Sequence, residues 1–201
     1  MESQFRLEIT QHMVDIGMID ESQHGSTRGR STLSQLIDQQ NQILEMIDSG
    51  SNAELIYLDF SKAYDKISHS ILLLKLEKMG VTGLNLEWIR HWLTYIHQRV
   101  RVSNSLSEWV YVESGIPQGS VLGPLLFLIY IWDLNLHDLK NPKVQARIYK
   151  YVDDSKVLTK VNCHDDIVHT QEILEHVYKW QVRNRMTWND SKFVRVSFGN
   201  N

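Results

Sequence analysis

The spacing of apolar residues changes several times along the chain, and each change marks an element. Residues 4–18 place Phe5, Ile9, Met13 and Ile16 at steps of four, four and three, which predicts a helix ending near Gly17. Residues 33–48 predict a second amphipathic helix with Leu33, Leu36, Ile37, Ile43, Leu44 and Ile47 inward, closed by Gly50 and the polar Ser49–Asn52 group. Glu54 to Phe60 is an apolar run of strand length with Asp59 near its end. Two more helices follow. The first is capped by Ser68 or Ser70, turns Ile71, Leu72, Leu74, Leu76 and Met79 inward, and stops at Gly80. The second starts near Thr82 or Asn85 and buries Leu86, Ile89, Trp92, Leu93 and Ile96. Alternation over 98–103 and 108–113, with Asn104-Ser105 between them, predicts a hairpin. Val121 to Leu134 is so nearly all apolar that a helix there must be buried on most sides. Tyr149 to Thr159 predicts a second hairpin, tipped by Asp153-Asp154. Asn162 can cap a helix to about Arg185 with Ile167, Leu174, Val177 and Tyr178 inward, and Phe193–Phe198 closes as a short strand.

Composition adds only bounds. A chain of 201 residues fits one domain, or one with a small appendage, and its 42% hydrophobic and 22% charged shares are ordinary for a globular protein. One cysteine, Cys163, excludes an internal disulfide and a cysteine-rich zinc site, and suits a reducing compartment. The N-terminus lacks the apolar core of a signal peptide, and the run from Val121 to Trp132 is broken by Gly123-Pro124 and too short to span a bilayer. These features lead to an intracellular protein that is not secreted and has no membrane partner. A net charge of −3 does not mark the chain as a nucleic-acid binder, although local patches matter more than the total.

Three places carry chemistry, each with a plain alternative. Asp153-Asp154 is either ordinary turn chemistry or a pair of carboxylates kept for a hard divalent cation such as Mg²⁺. Asp59 is either a strand-end cap or a side chain delivered to a site. The loop Gln23 to Thr32, with two glycines and two arginines, is either a solvated loop or a place where backbone and guanidinium meet a phosphate. Ser114-Gly115-Ile116-Pro117-Gln118-Gly119-Ser120 leads into the apolar helix, whose N-terminus is either a plain buried start or a rest for a phosphate or sugar.

Taken in order, four segments resemble reverse transcriptases, most closely those of non-LTR (LINE-type) retrotransposons. They are Gln23-His24-Gly25 with Gly29-Arg30-Ser31-Thr32, Tyr57 through Lys66, Ser114 through Pro124, and Tyr151-Val152-Asp153-Asp154. The resemblance implies an α/β right-hand polymerase palm, an antiparallel sheet backed by helices, over residues 53–201, with partial fingers over 1–52. It makes Asp59, Asp153 and Asp154 the catalytic carboxylates and adds the Phe60 carbonyl as a metal ligand. Two Mg²⁺ ions about 3.5–4 Å apart, or Mn²⁺ in their place, would bridge the primer 3′-hydroxyl and the triphosphate of the incoming nucleotide. Tyr64 resembles the bulky residue beneath the nucleotide sugar, and Pro117, Gln118 and Gly119 resemble the loop that packs on it. Arg30 resembles a fingers residue that contacts triphosphate, and Lys192 the lysine that assists pyrophosphate departure. The implied partners are an RNA template, a DNA primer and deoxynucleoside triphosphates, in nucleus or cytoplasm.

The chain departs from the family pattern at Ser26-Thr27, where an aromatic is usual, at Tyr151-Val152, which is closer to the retroviral form, and at Trp132. A thumb is expected where this chain stops at Asn201, and its absence together with the negative charge predicts weak nucleic-acid affinity for the chain alone. Two functions follow: an RNA-directed DNA polymerase domain, or an inactive truncated remnant that at most binds nucleic acid or a partner. Survival of all three carboxylates favours the first, because clustered like charges cost a relic stability.

Overall fold

An apolar run over Ala53–Leu58 builds the strand at the heart of the chain: Ala53, Leu55, Ile56 and Leu58 are buried, with Glu54 and Tyr57 half-exposed. The computed structural model describes residues 2–18, 20–27, 29–137, 139 and 145–199; Arg28 of the glycine-arginine loop lies outside them. In chain order the elements are α1 (Glu2–Asp15), α2 (Thr32–Asp48), β1 (Ala53–Leu58), α3 (His69–Lys78), α4 (Gly83–Thr94), β2 (His97–Gln98), β3 (Arg101–Val102), β4 (Ser105–Leu106), β5 (Val110–Tyr111), α5 (Gly123–Ile131), β6 (Ala146–Tyr151), β7 (Asp154–Lys160), α6 (His164–Arg183), a 3-10 turn (Asp190–Lys192) and β8 (Val194–Phe198). They form two units, Ile19–Ala63 with Trp132–Asn201 and Met1–Met18 with Tyr64–Ile131. Residues 52 and 53, where the fingers–palm boundary is expected, lie together within the first of these units.

The first of these units holds an antiparallel sheet in the order β6-β7-β1-β8. Its register sets Leu55 opposite Leu158, so apolar side chains of neighbouring strands meet on one face. Ile43 of α2 closes over that face with Ala53, Leu55, Tyr149 and Leu158. The outer edge of β6 is covered by a parallel bridge: Lys150 N–H donates to the Ser22 carbonyl (2.8 Å) and His24 N–H to the Lys150 carbonyl (2.9 Å).

Two helices in this unit turn differently from expectation. In α2 the buried residues are Gln35, Gln39 and Ile43, whereas Leu33, Leu36, Ile37 and Leu44 face outward. Gln39 is drawn in because its side-chain oxygen accepts from Lys156 Nζ (3.3 Å). In α6 the inner face is Thr170, Ile173, Val177 and Trp180, with Ile167 and Tyr178 exposed. Trp180 turns inward because its indole N–H reaches Asp133 (2.8 Å). The cap of α6 is Cys163 rather than Asn162. The Asp166 carboxylate accepts the Asn162 and Cys163 backbone N–H groups (2.7 and 3.2 Å), and the Asn162 side chain instead accepts from Asn52 N–H (2.6 Å).

In the second unit α3 packs on α4 and α5. Leu73 rather than Leu74 joins Leu72, Leu76 and Met79 in the interior of α3. The all-apolar α5 is buried along nearly its whole length, and Ser120 caps it by accepting Gly123 N–H (3.0 Å). The hairpin over 97–111 forms with its turn at Ser103-Asn104, one residue earlier than expected, and Ser103 takes a φ of 53°.

Candidate active site

β1 runs between β7 and β8 and ends at Leu58, opposite Ser155; continued by one residue, the same register sets Asp59 across from Asp154. Directly opposed side chains on antiparallel strands share a face, so two carboxylates meet at this end of the sheet. Tyr151 pairs with Asp154 and leaves Val152-Asp153 as a two-residue turn. Val152 has a φ of 56° and Asp153 is not in that region, the pattern of a turn that prefers glycine at its first central position. A β-branched residue there costs about 1–2 kcal/mol. The turn thus holds its acidic tip at a cost in local stability.

Asp153 feels both neighbours. Burial raises its pKa above the ordinary carboxylate value, its own backbone N–H and Lys192 pull the other way, and the charges of Asp154 and Asp59 raise it further. Lys192 is exposed, and its Nζ lies 3.0 Å from Asp59 Oδ2. Its pKa is raised by the hydrogen bond to Asp59, by that carboxylate's charge, and then by Asp154 and Asp153. Asp59, Asp153, Asp154 and Lys192 are therefore one electrostatic cluster. A groove of about 540 Å³ runs along it, lined by Tyr57, Asp59, Asp154, Lys156, Lys192 and Val194.

The chain after Asp59 is anchored through its backbone. The Asp59 carbonyl accepts Asn189 N–H (2.7 Å), and Ser61 N–H donates to the Thr187 carbonyl (2.8 Å). These bonds flank Phe60, whose own carbonyl takes part in neither, so the bridge between Phe60 and Trp188 does not consume it. The Phe60 ring stacks on Trp188 with centroids 4.0 Å apart and tilts against Trp180 at 5.9 Å. Asn189 also directs its side-chain NH₂ at Asp59 Oδ2 (3.4 Å). Sequence reasoning missed Asn189 and Trp188; the turn-forming Trp-Asn-Asp-Ser stretch before Lys192 is the signal that pointed there.

As a donor set for a cation, Asp59, Asp153, Asp154 and the Phe60 carbonyl are all hard oxygen, which suits Mg²⁺. Among the described residues no group of three or more His, Cys, Asp or Glu side chains is arranged to hold a metal ion by itself. That is compatible with Mg²⁺, which is usually held by one or two carboxylates, with waters and substrate phosphates filling the other positions. The Lys192 ammonium supplies positive charge to the same carboxylates.

The remaining expected residues fall into two groups. In the unit containing Tyr64, Gly115 N–H donates to the Ile67 carbonyl (2.8 Å) and Ile116 N–H to the Tyr64 carbonyl (2.9 Å), so the Pro117-Gln118-Gly119 loop begins pinned to the backbone of Tyr64. Gly115 is required there: it has a φ of 92°, and a Cβ would lie 2.9 Å from Asp65 backbone. The Tyr64 ring stacks on Phe127 at 4.9 Å, and Gln118 and Gly119 are exposed. Arg30 is not brought to the carboxylates: its guanidinium bonds back to the Glu21 carbonyl of its own loop.

Residues 2–197 match the family described as reverse transcriptase (RNA-dependent DNA polymerase). This chain belongs to the reverse transcriptase family. It is 30% identical over 196 residues to the probable RNA-directed DNA polymerase from transposon BS of Drosophila melanogaster, covering 92% of this chain and 21% of that protein. It is 29% identical over 185 residues to the RNA-directed DNA polymerase from mobile element jockey of Drosophila funebris, covering 90% and 20%. The chain thus spans about a fifth of the curated relatives it matches. Among solved structures, a telomerase from Candida tropicalis in complex with a fragment of telomeric RNA superposes with a TM-score of 0.72 at 13% identity, over 97% of this chain and 33% of that one. A Candida albicans telomerase gives 0.67 at 17% identity, over 96% and 33%. The reverse transcriptase fold, a right-hand polymerase architecture, is shared with them. No helix among the described residues is long and apolar enough to cross a membrane.

Proposed function

We propose that this domain is the part of an RNA-directed DNA polymerase that carries its catalytic carboxylates and transfers nucleotides to a primer 3′-hydroxyl on an RNA template. One observation carries the reading: β1 and the β6–β7 turn deliver Asp59, Asp153 and Asp154 to one end of the sheet, where Lys192 meets the charge of all three. Carboxylates that repel one another gain nothing in stability from such grouping and suit a cation. Asp59, Asp153 and the Phe60 carbonyl would hold Mg²⁺, with Asp154 alongside. Bound there, the metal would lower the pKa of the primer hydroxyl and offset charge on the triphosphate. Lys192, whose ammonium lies 3.0 Å from Asp59 Oδ2, would neutralise or protonate departing pyrophosphate. In the other unit Tyr64 and the Gln118 loop would form the nucleotide-sugar pocket, with the fingers drawn from residues before 53 and the palm from those after.

The test is primer extension on a poly(rA)/oligo(dT) duplex with Mg²⁺ or Mn²⁺, comparing the chain with an Asp153→Ala, Asp154→Ala double variant. Incorporation that the double variant abolishes supports the reading. Equal incorporation by both overturns the assignment of the carboxylates. No incorporation by a folded chain that also fails to bind duplex supports an inactive remnant.

A further inference from the structure

We infer that Gln23 is a positioning residue for the acidic turn: its side-chain carbonyl holds Val152 in the left-handed conformation and so sets where Asp153 points. The inference rests on the proposed polymerase reading for its kinetic consequences, and on geometry alone for the brace itself.

Three observations converge on this side chain. Gln23 is 5% exposed, and its Oε1 accepts two backbone N–H groups, from Gly25 at 2.8 Å and from Val152 at 3.0 Å. Both partners are donors, so the atom facing them must be the oxygen rather than the amide nitrogen. The Gln23 amide nitrogen is buried with no partner among the described residues. Such an orphan donor is unfavourable, so stability alone gives no reason for glutamine here, whereas the doubly bonded oxygen does. Second, Val152 occupies the turn position where glycine is preferred, at a φ of 56°. Strained backbone of this kind persists only where its surroundings over-determine it. Third, Gly25 lies flat against the turn: a Cβ on it would sit 2.6 Å from Val152 N and 2.6 Å from Val152 Cγ2. Gln23 and Gly25 thus act as one clamp, the first bonding the Val152 amide and the second leaving room for its backbone. The parallel bridge between Gln23 and Lys150 fixes the clamp to the same strand that carries the turn. In the next residue the carboxylate of Asp153 inherits that orientation.

The decisive variant is Gln23→Leu, which keeps the volume and removes the acceptor, studied alone and with Val152→Gly, which lets the turn adopt a positive φ without help. Amide exchange by NMR reads the brace directly. The Val152 N–H should be protected in the wild type and exchange about 10-fold faster or more in Gln23→Leu, while amides of β1 and α5 keep their protection. In primer extension, kcat should fall about 10- to 100-fold with the KM for primer–template little changed, because a slight misplacement of a reacting group costs that much. The concentration of Mn²⁺ giving half-maximal binding, followed by EPR without nucleic acid, should rise. Adding Val152→Gly should recover a large part of the lost kcat. Unchanged Val152 exchange in Gln23→Leu overturns the brace, and so does a kcat equal to that of the wild type. Loss of protection throughout the chain, with no recovery by Val152→Gly, assigns Gln23 to the core and also overturns it. A wild type that neither extends primer nor binds duplex, yet shows Val152 protection dependent on Gln23, would remove the polymerase reading and keep the brace.

Discussion

At Lys192 a single exposed ammonium faces three carboxylates, and its charge is the local counterweight to theirs. A bound divalent cation and this ammonium are drawn to the same oxygens. Lys192→Met should therefore bind Mn²⁺ more tightly than the wild type in an EPR titration while extending primers more slowly. Weaker or unchanged Mn²⁺ binding would show that the lysine does not balance the cluster. The three aspartates were legible in the sequence because carboxylates at a strand end and a hairpin tip have a recognisable order along the chain. The contacts of Asn189 with Asp59 and of Gln23 with Val152 were not. Each side chain acts through one or two hydrogen bonds to a partner well over a hundred residues away, and no local periodicity encodes such a contact.

Among the elements, the helices were readable in number and order and the strands in order, although the two expected arms of the 97–111 hairpin form as four short strands; the faces of α2 and α6 were not readable. An apolar stripe reveals a period, but it does not reveal which side the neighbours occupy. In α2 the neighbour is a sheet whose Lys156 reaches for Gln39, and this turns Leu33 and Leu36 outward. The difference is measurable by urea denaturation. Ile43→Ala removes a side chain packed against Leu55 and Leu158 and should cost about 2–5 kcal/mol, whereas Leu33→Gln should stay within about 0.5 kcal/mol. Equal losses would return Leu33 to the interior. At the start of α6, Asp166 closes the capping box around Cys163 by accepting the Asn162 and Cys163 N–H groups, and Asp166→Ala should lower stability by about 0.5–2 kcal/mol. The carboxylate is held below its ordinary pKa chiefly by the Asn162 N–H. A depressed carboxylate stabilises above its unfolded value, so this contribution is lost as the pH falls through the folded one. In the 97–111 hairpin the alternation was legible and the turn position was off by one, because Ser103 accepts a positive φ that the sequence does not announce.

Across the whole chain, the least expected feature is a fully buried lysine two residues before the acidic turn. Lys150 stands in β6 with no exposed side-chain surface; its ammonium bonds Asp20 and donates to the Leu134 carbonyl at 2.7 Å. It ties together stretches that lie more than a hundred residues apart along the chain, and the pattern Tyr-Lys-Tyr in a strand gave only an alternating polar position. Burial lowers the pKa of Lys150, opposed by the charge and hydrogen bond of Asp20. For Asp20 burial works against ionisation, but the Lys150 charge and the hydrogen bonds from Lys150 and Ser22 prevail and hold it below its ordinary value of 3.8. A depressed carboxylate contributes stability that is fully present above the unfolded value, near pH 4, and is lost as the pH falls through the lower folded value. Removing one partner of a buried pair leaves an uncompensated charge, so Asp20→Asn should lose about 3–5 kcal/mol at pH 7. The same variant should approach the wild type as the pH falls through the lowered folded value, because there the wild-type carboxylate is itself being protonated. Replacing both partners by apolar residues, Asp20→Leu with Lys150→Met, should recover most of the loss, since well-packed hydrophobic substitutes for buried ion pairs are often neutral or better. Urea denaturation at pH 7 and pH 3 separates these cases. If Asp20→Asn matches the wild type at pH 7, the tie carries no net stability and β6 is held by its ladder and its packing alone.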